Sequence, residues 1–279
     1  MIYISKELLK TFKESLINEE KSCATIQKYV RDVKALADWL SEECVTKAML
    51  VQYKKHLTDI YAPSSVNAAI ASLNHFFDFC GVCELKLKTI KLQRQVFAPS
   101  ENELTKLEYQ RLLNAAMARK NERLYLVMQT ICSSGIRVSE LKYITVEAIS
   151  SGRAEINSKG KRRTVFLNGN LCRILKRFAK EQKIKSGAVF ITKNGNPLDR
   201  SNIWSDMKKL GKDANVSSKK VFPHNLRHLF ARTYYSIQKD IVRLADILGH
   251  SSINTTRIYT MESGEVHRRQ LQKLGLLRC

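Results

Sequence analysis

Apolar residues recur at helical spacing through the first eighty positions. Leu8, Leu9, Phe12 and Leu16 share one face of a first helix, and Ile26, Tyr29, Val33, Leu36 and Leu40 that of a second. Thr46 is placed to cap a third helix carrying Leu50, Tyr53 and Leu57. Ser64, following Pro63, is placed to cap a fourth with Val66, Ile70, Leu73, Phe76 and Phe77. Gly81, which enters the left-handed region cheaply, ends it. Residues 1–83 therefore read as a compact four-helix unit.

The period is then lost. Leu85, Leu87 and Ile90 alternate with Lys86, Lys88 and Lys91, and Pro99-Ser100-Glu101-Asn102 reads as a turn. Residues 84–104 are expected to be a basic linker, either a solvated face or a strand of charge laid across a phosphate backbone. Residues 105–279 form the second unit. Thr105 caps a helix through Leu112 and Leu113, and the next carries Leu124, Tyr125, Met128 and Ile131. That helix breaks at Ser133-Ser134-Gly135, and another is expected to start near Arg137. Ala154–Asn157 and Thr164–Leu167 alternate like strands around a polar turn, Ser158 to Arg162, and a strand-like run lies at Ala188–Thr192. Helices are expected near Leu171 to Lys180 and again from Ser201. The class is mainly α with a small β-sheet.

Composition adds a partner. The 279 residues carry 48 Lys+Arg against 26 Asp+Glu, a formal charge of +22, which favours a polyanion. A ribosomal or heparin-type basic protein and a membrane-surface binder are the bland alternatives. No long apolar run, signal peptide or lipidation signal is visible, so a membrane role is not expected and nucleic acid leads. Seven cysteines, an odd number without an export signal, suggest reduced thiols and a cytoplasmic location. Cys80 and Cys83 make a lone CxxC with no second pair to close a zinc site, so free thiols are expected. No metal and no cofactor is expected elsewhere.

Chemistry-bearing residues fall into short frames along the second unit. They are Ser134-Gly135-Ile136-Arg137-Val138-Ser139-Glu140-Leu141, Lys159 in the polar turn, and His224-Asn225-Leu226-Arg227-His228. Leu248-Gly249-His250 follows, then Thr256-Arg257-Ile258-Tyr259. His224 and Arg227, at i and i+3, share one helical face, and Pro223 suits that helix's first turn. Arg137 follows a glycine at a helix start, where backbone N–H groups also face an anion. Singly, each residue is ordinary: an arginine near a helix start is usually on the surface, and a tyrosine on an amphipathic helix is usually half-buried, as Tyr234 and Tyr235 illustrate. The weight lies in type, order and frame together.

Those frames resemble the signature of the tyrosine recombinase (phage integrase) family, specifically in the second unit and only generically in the first. The resemblance implies site-specific cleavage and rejoining of double-stranded DNA through a 3′-phosphotyrosine, by an N-terminal helical DNA-binding domain and a C-terminal catalytic domain. A transesterification without metal must replace the ion's charge with guanidinium groups, whose fork fits two phosphate oxygens, and this chain shows no cluster of acidic ligands. Carried over, Arg137 and Arg227 hold the scissile phosphate, and His224 assists deprotonation of the nucleophile Tyr259. His250 hydrogen-bonds a non-bridging oxygen, and Lys159 protonates the leaving 5′-oxygen. Glu140 is either a supporting carboxylate behind Arg137 or a solvated helix residue.

Two departures matter. The turn Lys159-Gly160-Lys161-Arg162-Arg163 is a residue shorter than in many relatives, leaving Lys161 as a rival acid, and Phe166 stands where many have proline. No additional N-terminal arm-binding domain is evident, so the chain resembles the simple Xer-like and invertase-like members. The resemblance further implies a homotetramer on two DNA sites. Leu271, Leu274 and Leu277, beside Arg268 and Arg269, would form an apolar face docking into a neighbour or folding back on its own domain. A type IB topoisomerase-like enzyme and a catalytically silent DNA-binding regulator are the rival functions. The target sequence, any accessory protein, and the choice among integration, inversion and dimer resolution are not legible.

Overall fold

The computed structural model describes residues 2–41, 43–92, 102–158, 161–192, 194–259 and 272–273. The chain divides into two compact units, Met1–Arg94 and Gln95–Cys279. The first holds four helices, α1 (Lys6–Asn18), α2 (Cys23–Leu40), α3 (Lys47–Ile60) and α4 (Pro63–Phe79). Their inward stripes, including Phe12, Leu36, Leu50, Ile70 and Phe76, close one core. Ser5, Ser22 and Thr46 cap the first three through their hydroxyls, as the sequence suggests for Thr46. The fourth starts two residues earlier than expected. Pro63 occupies its first turn with Ala62 as the flanking residue, and Ser64 lies inside the helix. Proline at the first position has no N–H to satisfy and a φ already suited to a helix start, and the Ser65 N–H is taken by the Ala62 carbonyl at 2.8 Å.

The alternating leucines after α4 have a packing reason. Leu85 and Leu87 are buried against the first unit. Asn74 donates its amide to the Leu87 carbonyl (2.9 Å) and accepts from the Leu87 N–H (2.8 Å). Asn67, two turns back on α4, does the same for Ile90 at 2.9 and 2.7 Å. Two side-chain amides thus stand in for a partner strand, and residues 85–90 lie as a strap along α4 rather than as free linker.

The second unit contains α5 (Lys106–Ala118), α6 (Glu122–Ser134), α7 (Val146–Ser151), α8 (Gly169–Glu181), α9 (Arg200–Asp213), α10 (Pro223–Gln238), α11 (Ile241–Leu248) and α12 (Ile253–Arg257). Thr105 and Glu108 form a capping box at the start of α5. The unit is anchored at its beginning by Arg232 of α10, which pairs with Glu103 and donates to the Leu104 carbonyl at 2.6 Å. An antiparallel hairpin, β1 (Arg153–Ser158) and β2 (Lys161–Phe166), completes it.

Three local expectations are corrected. The strands run further than the alternation suggested, pairing Ser158 with Lys161 and Asn157 with Arg162, so the charged residues read as turn are strand. Charge on both faces had hidden the period. Ala188–Thr192 makes only isolated bridges, Thr145 with Ala188 and Ile191 with Pro197. The segment after Gly135 is a 3-10 helix, Val138–Tyr143, rather than an α-helix. The stretch holding Leu271, Leu274, Leu277, Arg268 and Arg269 lies outside the described residues, as do Lys159 and Gly160.

Candidate active site

Residues from four segments of the second unit converge. Gly135 ends α6 with φ +67°, and a Cβ there would run into the Phe230 ring of α10, so the chain turns sharply and closely at this point. Arg137 follows, beginning the 3-10 helix. Its backbone N–H does not face an anion site as expected: it donates to Glu140 Oε2 at 2.7 Å, while its Nη1 donates to Oε1 at 3.0 Å. Glu140 is 1% exposed, so it is not a solvated residue. Its second partner is Arg163 of β2, whose Nη2 donates to Oε2 at 2.6 Å. A buried carboxylate between two guanidiniums aims Arg137, whose own side chain stays 40% exposed, toward solvent.

Helix α10 supplies His224 and Arg227. Arg227 is 1% exposed, the largest side chain buried to that degree among the described residues. Its Nη1 donates to the Gly135 carbonyl (2.6 Å) and its Nη2 to the Leu248 carbonyl (2.7 Å) and to His250 Nε2 (3.0 Å). Burial, then Arg137, pull its pKa down to about 10, with the nearby Tyr259 phenol acting the other way. The group remains a cation at neutral pH. Arg137, His224 and Arg227 line one pocket of about 250 Å³ together with Arg200 and Trp204 of α9. Burial and then Arg227, Arg137 and Arg200 hold His224 below the usual histidine range.

His250 follows Gly249, which ends α11 with φ +65°. An arginine only donates, so His250 Nε2 is the acceptor, and its Nδ1 carries the proton toward Thr256 Oγ1 at 2.9 Å. Burial and the neighbouring arginines, Arg227 foremost, press its pKa to about 4. Tyr259 lies two residues beyond α12, not on it as expected, because Ile258 caps that five-residue helix. The ring is 5% exposed and packs with Ala231, Leu244 and Leu248. It stacks on His250 (centroids 5.7 Å, planes 16° apart) and meets the edge of His228 (4.6 Å, 77°). His228 in turn touches His224 at 4.7 Å, and burial followed by His224 takes its pKa to about 4.

The structure therefore brings Arg137, Glu140, His224, Arg227, His250 and Tyr259 together. Lys159 lies outside the described residues, and Lys161 is the first residue of β2. Sequence reasoning passed over His228, Arg163, Arg200 and Trp204. For His228 the signal was its i+4 spacing from His224. For Arg163 it was an inward position, paired with Ile156 and two residues from buried Val165. Among the described residues no group of His, Cys, Asp or Glu is arranged to hold a metal ion, and no helix is long and apolar enough to cross a membrane.

Residues 102–265 match the phage integrase family, and residues 9–80 match the phage integrase N-terminal SAM-like domain. The chain is 28% identical to tyrosine recombinase XerA of Thermococcus kodakarensis, over 97% of this chain and 96% of that protein. It is 29% identical to tyrosine recombinase XerD of Halalkalibacterium halodurans, over 85% and 86%. A solved lambda integrase(75-356) dimer bound to a COC' core site shares the fold with TM-score 0.76 and 16% identity, covering 94% of this chain and 97% of that one. XerH bound to its difH substrate gives 0.71 and 19%, covering 96% and 85%. With more than half its length in the family match, the chain belongs to the phage integrase family. It is a tyrosine recombinase, an enzyme of site-specific DNA recombination that works through a covalent tyrosine intermediate.

Proposed function

We propose that Tyr259 attacks a scissile DNA phosphate held in the pocket of Arg137, His224 and Arg227, giving a 3′-phosphotyrosine without metal. One observation carries this reading: among the described residues, three guanidiniums and a neutral histidine line one small pocket, and Tyr259, stacked on His250, lies beside Arg227 of that lining. Phosphoryl transfer builds negative charge on the equatorial oxygens, and preorganised guanidinium donors stabilise it most as it develops. Arg227 Nε is buried without a hydrogen-bond partner among the described residues, and a phosphate oxygen would supply one. His224, kept neutral beside three arginines, can accept the phenolic proton. Lys159, with Lys161 as rival, delivers a proton to the departing 5′-oxygen.

The partner is double-stranded DNA with a specific core site, bound by a homotetramer spanning two sites; lambda integrase has been solved as a tetramer on a Holliday junction. We place the enzyme in the cytoplasm. The domains are taken as residues 1–83 for DNA binding, 84–104 for the connection and 105–279 for catalysis. A nicked duplex carrying a site recovered by selection from random DNA tests the chemistry. Wild type should leave a denaturant-resistant adduct, chelator should not prevent it, and Tyr259→Phe should bind the duplex and form none. An adduct from the Phe variant would reassign the nucleophile, with Tyr234 and Tyr235 next in line.

A further inference from the structure

Arg163 and Arg227 make parallel crossings between the same two segments. Arg227 reaches from the Gly135 carbonyl to the Leu248 carbonyl. Arg163 reaches from Glu140 to the Ile247 carbonyl, one residue earlier. The last carbonyls of a helix have no partner within it and carry the negative end of its dipole, so α11 is closed by two cations from two different elements. Each cation has its other arm on the turn that carries Arg137.

The two staples differ in what else they face. Arg227 lines the pocket with Arg137 and His224, whereas Arg163 is not among the lining residues. The stem of Arg163 lies flat on Gly249. A Cβ there would sit 2.6 Å from its Cδ and 2.9 Å from its Nε, so this approach requires glycine immediately before His250. Burial lowers the Arg163 pKa and Glu140 opposes that shift, as befits a cation whose site includes its counter-charge. On the mechanism proposed above, Arg227 offers its unpaired Nε to a phosphate while Nη1 and Nη2 hold the two carbonyls, so any shift toward the phosphate pulls on the end of α11. Arg163, which holds the neighbouring Ile247 carbonyl and does not line the pocket, bears no such load.

We propose that Arg163 is a positioning residue for strand cleavage. Through Glu140 it fixes Arg137, and through Ile247 and Gly249 it fixes His250, so both sides of the pocket keep their spacing while Arg227 engages the phosphate. The proposal rests on that reading of the pocket. Lysine cannot replace it, because one ammonium on a shorter stem lacks the fork that spans a carboxylate and a carbonyl.

The test uses the full chain with Arg163→Lys, Arg163→Met and, for reference, Arg137→Ala. The nicked duplex is prepared with an ordinary scissile phosphate and with a methylphosphonate, in which a methyl group replaces one non-bridging oxygen and removes its charge. Folding is followed by thermal melting and binding by titration. Arg163→Lys should fold and bind as wild type yet form adduct on the order of a hundredfold more slowly, the scale of a misplaced catalytic group. On methylphosphonate its deficit should shrink alongside that of Arg137→Ala, since a neutral phosphorus centre asks less of misplaced guanidiniums. Wild-type rates for Arg163→Lys would overturn the proposal. So would equal deficits on both substrates, or loss of folding in both Arg163 variants, which would make the residue structural. Absence of adduct from wild type would overturn the proposed function and this inference together.

Discussion

Arg227 and His250 share a hydrogen bond of 3.0 Å that decides where the imidazole keeps its proton. The guanidinium has only donors, so Nε2 presents its lone pair and Nδ1–H points to Thr256. In this state His250 cannot donate to a phosphate from Nε2. For it to do so, Arg227 must move off the ring and the ring must gain or relocate a proton. Nitrogen NMR of the free enzyme at pH 7 should show protonated Nδ1 and bare Nε2. Thr256→Val should raise the other tautomer; a protonated Nε2 in wild type would contradict the geometry.

Stability should fall on the acid side of neutrality. His228 and His250 have pKa values near 4 in the folded chain, against about 6.5 for an unperturbed histidine. The unfolded chain therefore binds more protons between these values, and unfolding becomes easier as pH drops from about 6.5 toward 4. After allowance for solvent screening the loss is on the order of 2 kcal/mol per ring. Melting temperature against pH should slope downward through this window, and His228→Asn should flatten it. A level curve in wild type would refute the neutral-ring assignment.

Arg137 and Arg227 should fail differently. Arg227→Ala leaves the Gly135 and Leu248 carbonyls buried without donors and removes a wholly buried side chain, costing about 3 kcal/mol. In a chain of this size that is a melting point lower by roughly 6–12 °C. Arg137→Ala leaves Glu140 still paired with Arg163, so melting should barely change while cleavage slows roughly a hundredfold or more. Equal melting losses would mean the two residues share one structural role.

The general acid can be separated from its rival by substrate chemistry. A 5′-bridging sulfur leaves as a thiolate, whose conjugate acid has a pKa of about 8.5, and needs no proton. Lys159→Ala should be slow on ordinary DNA and recover on the phosphorothiolate, whereas Arg137→Ala should not recover. Selective recovery of Lys161→Ala would transfer the role to Lys161.

DNA affinity should fall steeply with salt, since each neutralised phosphate releases counterions and adds to the log–log slope. Titration of a labelled duplex at several salt concentrations measures that slope, and a flat response would remove DNA as partner.

The sequence shows the helices of both units because apolar stripes and hydroxyl caps are local signals, and Thr46 and Thr105 act as they read. It also shows which segments carry charge chemistry, because frames such as His224-Asn225-Leu226-Arg227 are contiguous. It does not show what those groups lean on. Arg163 meets Ile247 across 84 positions and Glu140 across 23, and no period or cap reports such contacts. Nor does spacing reveal that Glu140 is buried between two cations. The strap at residues 85–90 was disguised by its lysines, while the asparagines that hold it sit inconspicuously inside α4.

Tyr259 is 5% exposed, seated between two imidazoles over a small apolar cluster. As the proposed nucleophile, it would give up ring contacts worth about 1 kcal/mol each, as well as buried area, in any move from that seat toward a phosphorus atom. A molecule in this conformation that slides along DNA keeps the ring of its proposed nucleophile packed inside. On the proposed chemistry, DNA that is merely scanned would be spared until that ring is drawn from its seat.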